Sequence, residues 1–240
     1  MNILKSFRQS LLSIVAQNEG RSDKKVAVVL SGCGVYDGSE IIEAVSTILA
    51  VEKYGAKCSF FAPNVPQADV VDHLGGKQES DTRNVLQESA RIARGKISNL
   101  DAFRAEDFDA LVFPGGFGAA KNLSSFAFDG TEARLLPKVE SAVLNMFEAK
   151  KPIGFICISP ASVGAVALGR FGVELTIGCD KATADAIEAL GAKHVTCEAS
   201  NFVKDRAHKV YSTPAFMSAK SALEAYMGIE KMLKAILNDK

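Results

Sequence analysis

From Lys24 onward, short apolar runs alternate with stretches of helical period, and no other feature of the chain narrows the fold as much. A strand that is apolar along its whole length must be covered on both faces. An amphipathic helix following each strand supplies that cover, so the alternation predicts a mostly parallel sheet with helices on both faces. Residues 26–31, 58–62, 110–113, 153–156 and 173–177 read as strands, and 39–54, 84–94, 132–149, 161–168, 182–190 and 218–237 as helices. Gly55 closes the first of these helices. Shorter strand-like runs at 194–197, 202–204 and 209–212 predict a partly antiparallel edge, and the stretch after residue 62 reads as irregular.

The composition excludes several function classes. Of 240 residues, 48% are hydrophobic and 23% charged, and 28 basic side chains offset 28 acidic ones. The chain can bury a core, but it lacks the net field that gathers a phosphate backbone or an anionic membrane, so neither is an expected partner. Its longest apolar runs, such as 161–168, are interrupted by Gly and Ser and fall short of the roughly 20 residues of a spanning helix. Five scattered cysteines, none in a Cys-x-x-Cys or Cys/His cluster, argue against a disulfide framework or a metal site and for a reducing compartment.

Residues 1–22 stand apart. Ile3, Leu4, Phe7, Leu11, Leu12, Ile14 and Val15 fall near helical spacing among Lys5, Arg8 and Ser10, which predicts a slightly basic amphipathic helical extension. It would pack on the domain or on a second subunit. A mitochondrial-type presequence fits its Arg and Ser content but not Glu19, and a secretory signal fits worst because the apolar residues are periodic. The remainder, 23–240, contains no repeat or linker and reads as one domain.

In an open parallel sheet ligands sit beyond the carboxyl ends of the strands, so the turns after the strands are the places to look for chemistry. The first such turn, Ser31-Gly32-Cys33-Gly34-Val35-Tyr36-Asp37-Gly38-Ser39-Glu40, runs into a helix carrying Glu40 and Glu43 about one turn apart. Its glycines do not fit Gly-x-Gly-x-x-Gly and no Gly-Lys-Ser/Thr follows, so a nucleotide loop is not expected. The turn Pro114-Gly115-Gly116 ends a strand in consecutive glycines, where backbone N–H groups can approach a developing oxyanion without a Cβ in the way. A tight turn without function is the plainer reading of the same residues.

At Gly154-Phe155-Ile156-Cys157-Ile158-Ser159-Pro160-Ala161 an apolar strand passes into a helix at a single cysteine. A side chain at such an elbow is thrust above the sheet, and the amides opening the next helix are expected to stabilise its thiolate, which makes Cys157 the candidate nucleophile. Cys58, Cys179 and Cys197 have flanks that suggest strands and inert packing, and Cys33 lies in a loop on the same rim as Cys157. Residue 158 is Ile, and the three histidines are His73, His194 and His208. The last two read as solvated or capping residues. His73, in the loop after the second strand, is the one that could reach the rim, for which Tyr36 and Asn122 are further candidates.

These segments, together with Arg83-Asn84-Val85-Leu86, Glu88-Ser89-Ala90-Arg91-Ile92-Ala93-Arg94-Gly95, Gly115-Gly116-Phe117-Gly118-Ala119-Ala120-Lys121-Asn122-Leu123 and Thr213-Pro214-Ala215, resemble the ES1 (ElbB-type) family. That family lies within the DJ-1/PfpI branch of class I glutamine amidotransferase-like folds. The resemblance covers roughly Lys24 to the C-terminus. It implies a flavodoxin-like three-layer α/β sandwich, usually a homodimer, with the elbow cysteine as reactive centre. It also implies glyoxalase-like activity that converts glyoxal to glycolate without cofactor or glutathione, in the cytoplasm of bacteria or the mitochondrial matrix of animals.

The superfamily's glutamate beside the cysteine would be Glu43 or Glu40, which the resemblance does not separate. Many ES1 relatives carry His where this chain has Ile42, and DJ-1-like relatives carry His near Gly178, so the usual imidazole base is missing from both places. The implied chemistry is attack of Cys157 on a small aldehyde, with the oxyanion on the amides of Gly116 and Ile158 beside Gly115 and a glutamate moving the proton. A non-catalytic redox sensor or stress protein built on the same thiol is the competing expectation, and an amidotransferase-type hydrolase a more distant one.

Overall fold

A computed structural model describes residues 23–239. The helical extension predicted at 1–22 lies outside the described residues.

In chain order the elements are β1 (Lys25–Val29), α1 (Ile41–Lys53), β2 (Lys57–Ala62), β3 (Val71–Asp72), β4 (Lys77–Gln78), α2 (Val85–Ile92), β5 (Ile97–Asn99), β6 (Ala110–Phe113), α3 (Phe117–Lys121), α4 (Phe126–Asp129), α5 (Pro137–Glu148) and β7 (Ile153–Ile156). A π-helical segment, Pro160–Ala165, then leads into α6 (Val166–Leu168), followed by β8 (Glu174–Leu175), α7 (Lys181–Ala189), β9 (Lys193–His194), β10 (Val203–Asp205), β11 (Val210–Thr213) and α8 (Ala222–Leu237). Seven strands form one sheet in the order β10-β11-β7-β6-β1-β2-β5, while β3 pairs with β4 and β8 with β9. Every pairing in the large sheet is parallel except β10 with β11, which gives the predicted antiparallel edge. This is the mostly parallel, flavodoxin-like three-layer α/β arrangement.

Side-chain alternation along the central strands builds two cores. Val26, Val28, Leu30, Val112 and Ile156 face α1 and α8, where Ala44, Ala50, Val51, Ile229, Met232, Leu233 and Ile236 meet them. Ala27, Val29, Leu111, Phe113, Ile153 and Phe155 face the other way, onto Val139, Val143 and Met146 of α5 and onto Ala161, Val163 and Leu168. Both sets are buried, which is why these strands read as unbroken apolar runs.

Several element bounds differ from the sequence reading. The 39–54 helix starts at Ile41 because Glu40 is its N-cap, with Oε2 accepting from Glu43 N. The 132–149 helix starts at Pro137, where a fixed φ and a missing N–H suit the first helical position. Strand 173–177 shrinks to Glu174–Leu175, and the helix expected at 161–168 opens with π-helical hydrogen bonding. Strand 194–197 shrinks to Lys193–His194, leaving Cys197 in a loop and Cys179 exposed, so neither packs within a strand as expected.

The chain leaves β1 for β2 and β5 on one side and then crosses to β6 on the other. The loops after β1 and β6 therefore diverge at the switch point, where such sheets open a crevice. β7, the strand ending at Cys157, lies beside β6.

Phe155, fully buried and stacked on Phe113 at 5.5 Å between ring centroids, anchors the β7 strand below the elbow. Phe155→Ala should lower the unfolding free energy by about 3–5 kcal/mol. Urea unfolding followed by circular dichroism measures it, and a loss below about 1 kcal/mol would mean the α5-side core does not depend on this ring.

Candidate active site

β7 ends at an elbow. Cys157 has φ 62°, left-handed backbone that costs a residue with a Cβ of order 1 kcal/mol or more, and the structure around it holds it there. Cys157 N donates to Thr213 O at 3.0 Å, extending the β7–β11 register by one residue. Two residues on, the buried Ser159 Oγ donates to Pro114 O at 2.8 Å, tying the start of the next segment to the end of β6. The side chain of Cys157 points into this junction and is only 8% exposed.

The first turn of α1 brings a carboxyl to the sulfur. Glu43 is completely buried. Its Oε2 accepts from Gly115 N at 3.0 Å, its Oε1 from Phe216 N at 3.2 Å, and its carboxyl is hydrogen-bonded to the Cys157 thiol. The N–H groups of Gly116 and Ile158 donate to the same sulfur.

Two consecutive peptides of the glycine turn are held from both sides. Peptide 114–115 accepts from Ser159 at its carbonyl and donates to Glu43 at its N–H; peptide 115–116 accepts from Glu40 N at 2.9 Å and donates to Cys157. Glycine is required at both positions. A Cβ on Gly115 would lie 2.6 Å from Glu43 Oε2 and 3.0 Å from Cys157 Sγ, and Gly116, at φ 94°, would drive one into the backbone of Gly38 and Ser39.

Burial dominates the electrostatics. It pushes the Glu43 carboxyl up to about 8, and the charge of Glu40 adds to the effect. The Cys157 thiol is also pushed well above its ordinary value, first by burial and then by the Glu43 charge, while the amides of Gly116 and Ile158 pull it down. The sequence expectation of a thiol lowered by helix amides is thus corrected: those donors are present, but desolvation outweighs them. Below about pH 8 the carboxyl mostly holds its proton against the sulfur, so the thiol can pass its own proton to Glu43 only in the ionised fraction, which grows as pH rises toward about 8.

The remaining sequence candidates fall into other roles. Glu40, ranked level with Glu43 from sequence, caps α1 with Oε2 on Glu43 N at 2.6 Å. Asn122 is a buried brace: its Nδ2 donates to Ser31 O and Asp37 O, and its Oδ1 accepts from Ala68 N. Tyr36 is exposed and packs on His73, whose Nε2 accepts from Tyr36 N at 3.2 Å. Cys33 sits half-buried within the field of Glu88 and Arg91, and burial pushes its thiol up.

His194 Nε2 accepts from Ile177 N, and His208 pairs with Asp205 at 2.8 Å. Among the described residues no three His, Cys, Asp or Glu side chains gather as metal ligands, and no helix is long and apolar enough to cross a membrane. Sequence reasoning missed Ser159 and the Phe216 amide as parts of this junction. Phe216 reaches Glu43 because the preceding Ala215 adopts φ 44°, a turn that no residue type announces.

The comparisons agree with this architecture. The chain is 46% identical over 227 residues, 90% of its own length and 84% of the relative's, to a rat protein named ES1 protein homolog, mitochondrial. The chain belongs to the ES1 family. The human relative, 45% identical over 227 residues, is named glutamine amidotransferase-like class 1 domain-containing protein 3, mitochondrial. Among solved structures, an Ehrlichia chaffeensis protein described as an isoprenoid biosynthesis protein with an amidotransferase-like domain is 42% identical with TM-score 0.82, covering 89% of this chain and 99% of its own. A DJ-1 superfamily protein from Agrobacterium tumefaciens, at 17% identity and TM-score 0.52 over 88% of this chain and 90% of its own, shares the fold. No family model matches the chain.

The buried carboxyl makes a stability prediction for this ES1-family protein. With an ordinary value of 4.5 and a folded value of about 8, the folded state keeps a proton that the unfolded state releases between those limits. The stability contributed by that proton is complete below pH 4.5 and falls as pH rises through about 8. Relative to wild type, Glu43→Gln should therefore gain stability as pH is raised from about 5 to about 8. Urea titrations at several pH values test this, and a difference independent of pH would show a carboxyl with an ordinary value.

Proposed function

We propose that this chain is a glyoxalase-like enzyme that converts glyoxal-type aldehydes to hydroxy acids, using Cys157 as nucleophile and Glu43 as acid and base, with no cofactor and no glutathione. The observation that carries the reading is one buried carboxyl, pushed up to about 8, hydrogen-bonded to a thiol that also receives two backbone N–H groups. A base with a value near the working pH is what proton transfer at carbon requires.

In the state with Glu43 ionised, the Cys157 thiol passes its proton to the carboxylate as sulfur attacks one aldehyde carbon. The carbonyl electron pair moves to oxygen beside the amides of Gly116 and Ile158, and Glu43 protonates that oxygen to give a hemithioacetal. The Glu43 carboxylate then takes the hydrogen from the sulfur-bearing carbon as a proton and returns it to the neighbouring carbon, while the hemithioacetal hydroxyl gives up its proton to the neighbouring oxygen. One carbon is oxidised to a thioester and the other reduced to an alcohol. Water cleaves the thioester, so glyoxal and water give glycolate and the free thiol.

The low exposure of Cys157 and the bare glycines beside it suit a two- or three-carbon substrate. Amidotransferase chemistry is disfavoured because all three histidines are engaged elsewhere, with Tyr36, Ile177 and Asp205. For location, the names of the rat and human relatives favour the mitochondrion.

Glyoxal turnover by wild type, Cys157→Ala and Glu43→Gln tests the reading. Activity should vanish in the first variant and fall about 10²-fold or more in the second. An inactive wild type whose Cys157 accumulates sulfinate under peroxide would favour the redox-sensor reading.

For assembly we propose a homodimer through α1 and α8, which pack on each other and leave Ile41, Ile42, Val45, Leu49, Leu223 and Met227 exposed on their outer sides. Exposed apolar residues at helical spacing on each of two packed helices are the kind of surface that a two-fold contact with a second copy would bury. Light scattering should give a dimer for wild type and a monomer for Val45→Asp/Leu49→Asp, and a monomeric wild type would remove this interface.

A further inference from the structure

We propose that Ser159 is a positioning residue for the acid–thiol pair, its hydroxyl fixing the peptide that presents an N–H to Glu43. The proposal rests on the reading of Cys157 and Glu43 as the reacting pair.

The bond from Ser159 Oγ to Pro114 O, 2.8 Å long and fully buried, ends on the same peptide whose N–H, at Gly115, donates to Glu43 Oε2 at 3.0 Å. Carbonyl and N–H of a trans peptide point in opposite directions, so Ser159 and Glu43 grip this group from its two sides. Donation to the carbonyl also polarises the peptide and strengthens its N–H as a donor.

The grip is needed because Gly115 and Gly116 have no Cβ to limit rotation. Turning peptide 114–115 would remove a donor from Glu43 and misdirect the next one, Gly116 N–H, which serves the Cys157 sulfur. The neighbouring peptide is steadied by the Glu40 backbone, which donates to Gly115 O at 2.9 Å, so Ser159 is the side chain in this double clamp that touches neither sulfur nor carboxyl. Its position two residues beyond the elbow lets the nucleophile segment set the geometry of the β6 turn directly.

Ser162 provides a control. It is buried three residues on, in the π-helical segment that follows Ser159, and its Oγ has no hydrogen-bond partner.

The test is the rate of Cys157 alkylation by iodoacetamide between about pH 5 and pH 10, with mass mapping of the labelled residue, in wild type, Ser159→Ala, Ser159→Thr and Ser162→Ala. Ser159→Ala should slow labelling at neutral pH about 5- to 10-fold, the scale of one hydrogen bond, and move the midpoint of the profile to higher pH. Ser159→Thr, which restores the hydroxyl, should return the midpoint, and Ser162→Ala should match wild type.

A Ser159→Ala profile superimposable on wild type overturns the proposal, as does a Ser159→Ala chain that fails to fold, which would assign the hydroxyl to stability. Failure of the underlying reading looks different: in that case wild-type Cys157 shows no pH-dependent labelling at all.

Discussion

Glu43 has no exposed surface, and burying an ionised carboxylate without partners would cost several kcal/mol, so every group that touches it supplies either a proton or a donor. Gly115 and Phe216 each give an N–H, and Cys157 gives a thiol. These three contacts come from the ends of β6, β11 and β7, which must therefore finish at the same level of the sheet. Moving one of them by a single residue would leave a carboxyl oxygen unsatisfied, and a buried orphan of that kind costs about 1–3 kcal/mol or more. The site thus constrains the strand register as much as the register builds the site.

The sheet satisfies this constraint through its order. Placing β6 next to β1 puts the glycine turn against the loop 31–40, which hands the chain to α1 and so to Glu43. β7 and β11 follow on the other side, and Cys157 N on Thr213 O carries their pairing past the last paired residues. Burial on both faces of β1, β6 and β7 holds the floor of the site rigid, because residues alternate between the α1/α8 core and the α5/α6 core with no solvent-facing set. The strained backbone at Cys157 and Ala215 persists because packing on either side over-determines it.

The parts visible in the sequence were those governed by local pattern: the buried strands, the long helices, and an elbow cysteine flanked by apolar residues and proline. Short polar elements were not. The hairpin β3–β4 and the edge strand β5 have two or three residues each with no buried apolar face, so nothing in their composition separates them from loop. Glu40 and Glu43 could not be told apart because an acid at a helix N-cap and an acid in the first turn follow the same residue preference. Only the direction of the helix decides which of them turns inward. Desolvation of the thiol was likewise illegible, since it depends on what α1 and the 215–217 turn place over Cys157 rather than on its neighbours in sequence.

That no imidazole stands at this pair has a consequence for how it must work. A side chain at Gly178, near which DJ-1-like relatives are expected to carry His, would sit at φ 85° and press on Ser218 Oγ and Pro214, and residue 42 faces outward. An ordinary carboxyl with a value near 4.5 is a weak base at neutral pH; burial brings Glu43 to about 8, close to what a histidine would offer. The same burial pushes the thiol upward, so in the proposed reaction sulfur would become a nucleophile only as its proton moves to the ionised carboxyl, with acid and nucleophile arising in one transfer. Once the proton has moved, the negative charge on sulfur would be held by the protonated Glu43 carboxyl together with the N–H groups of Gly116 and Ile158. A site that handles its proton this way depends less on which residue is the base than on peptides that cannot turn away, and the pinning of 114–115 and 115–116 from both sides meets that need.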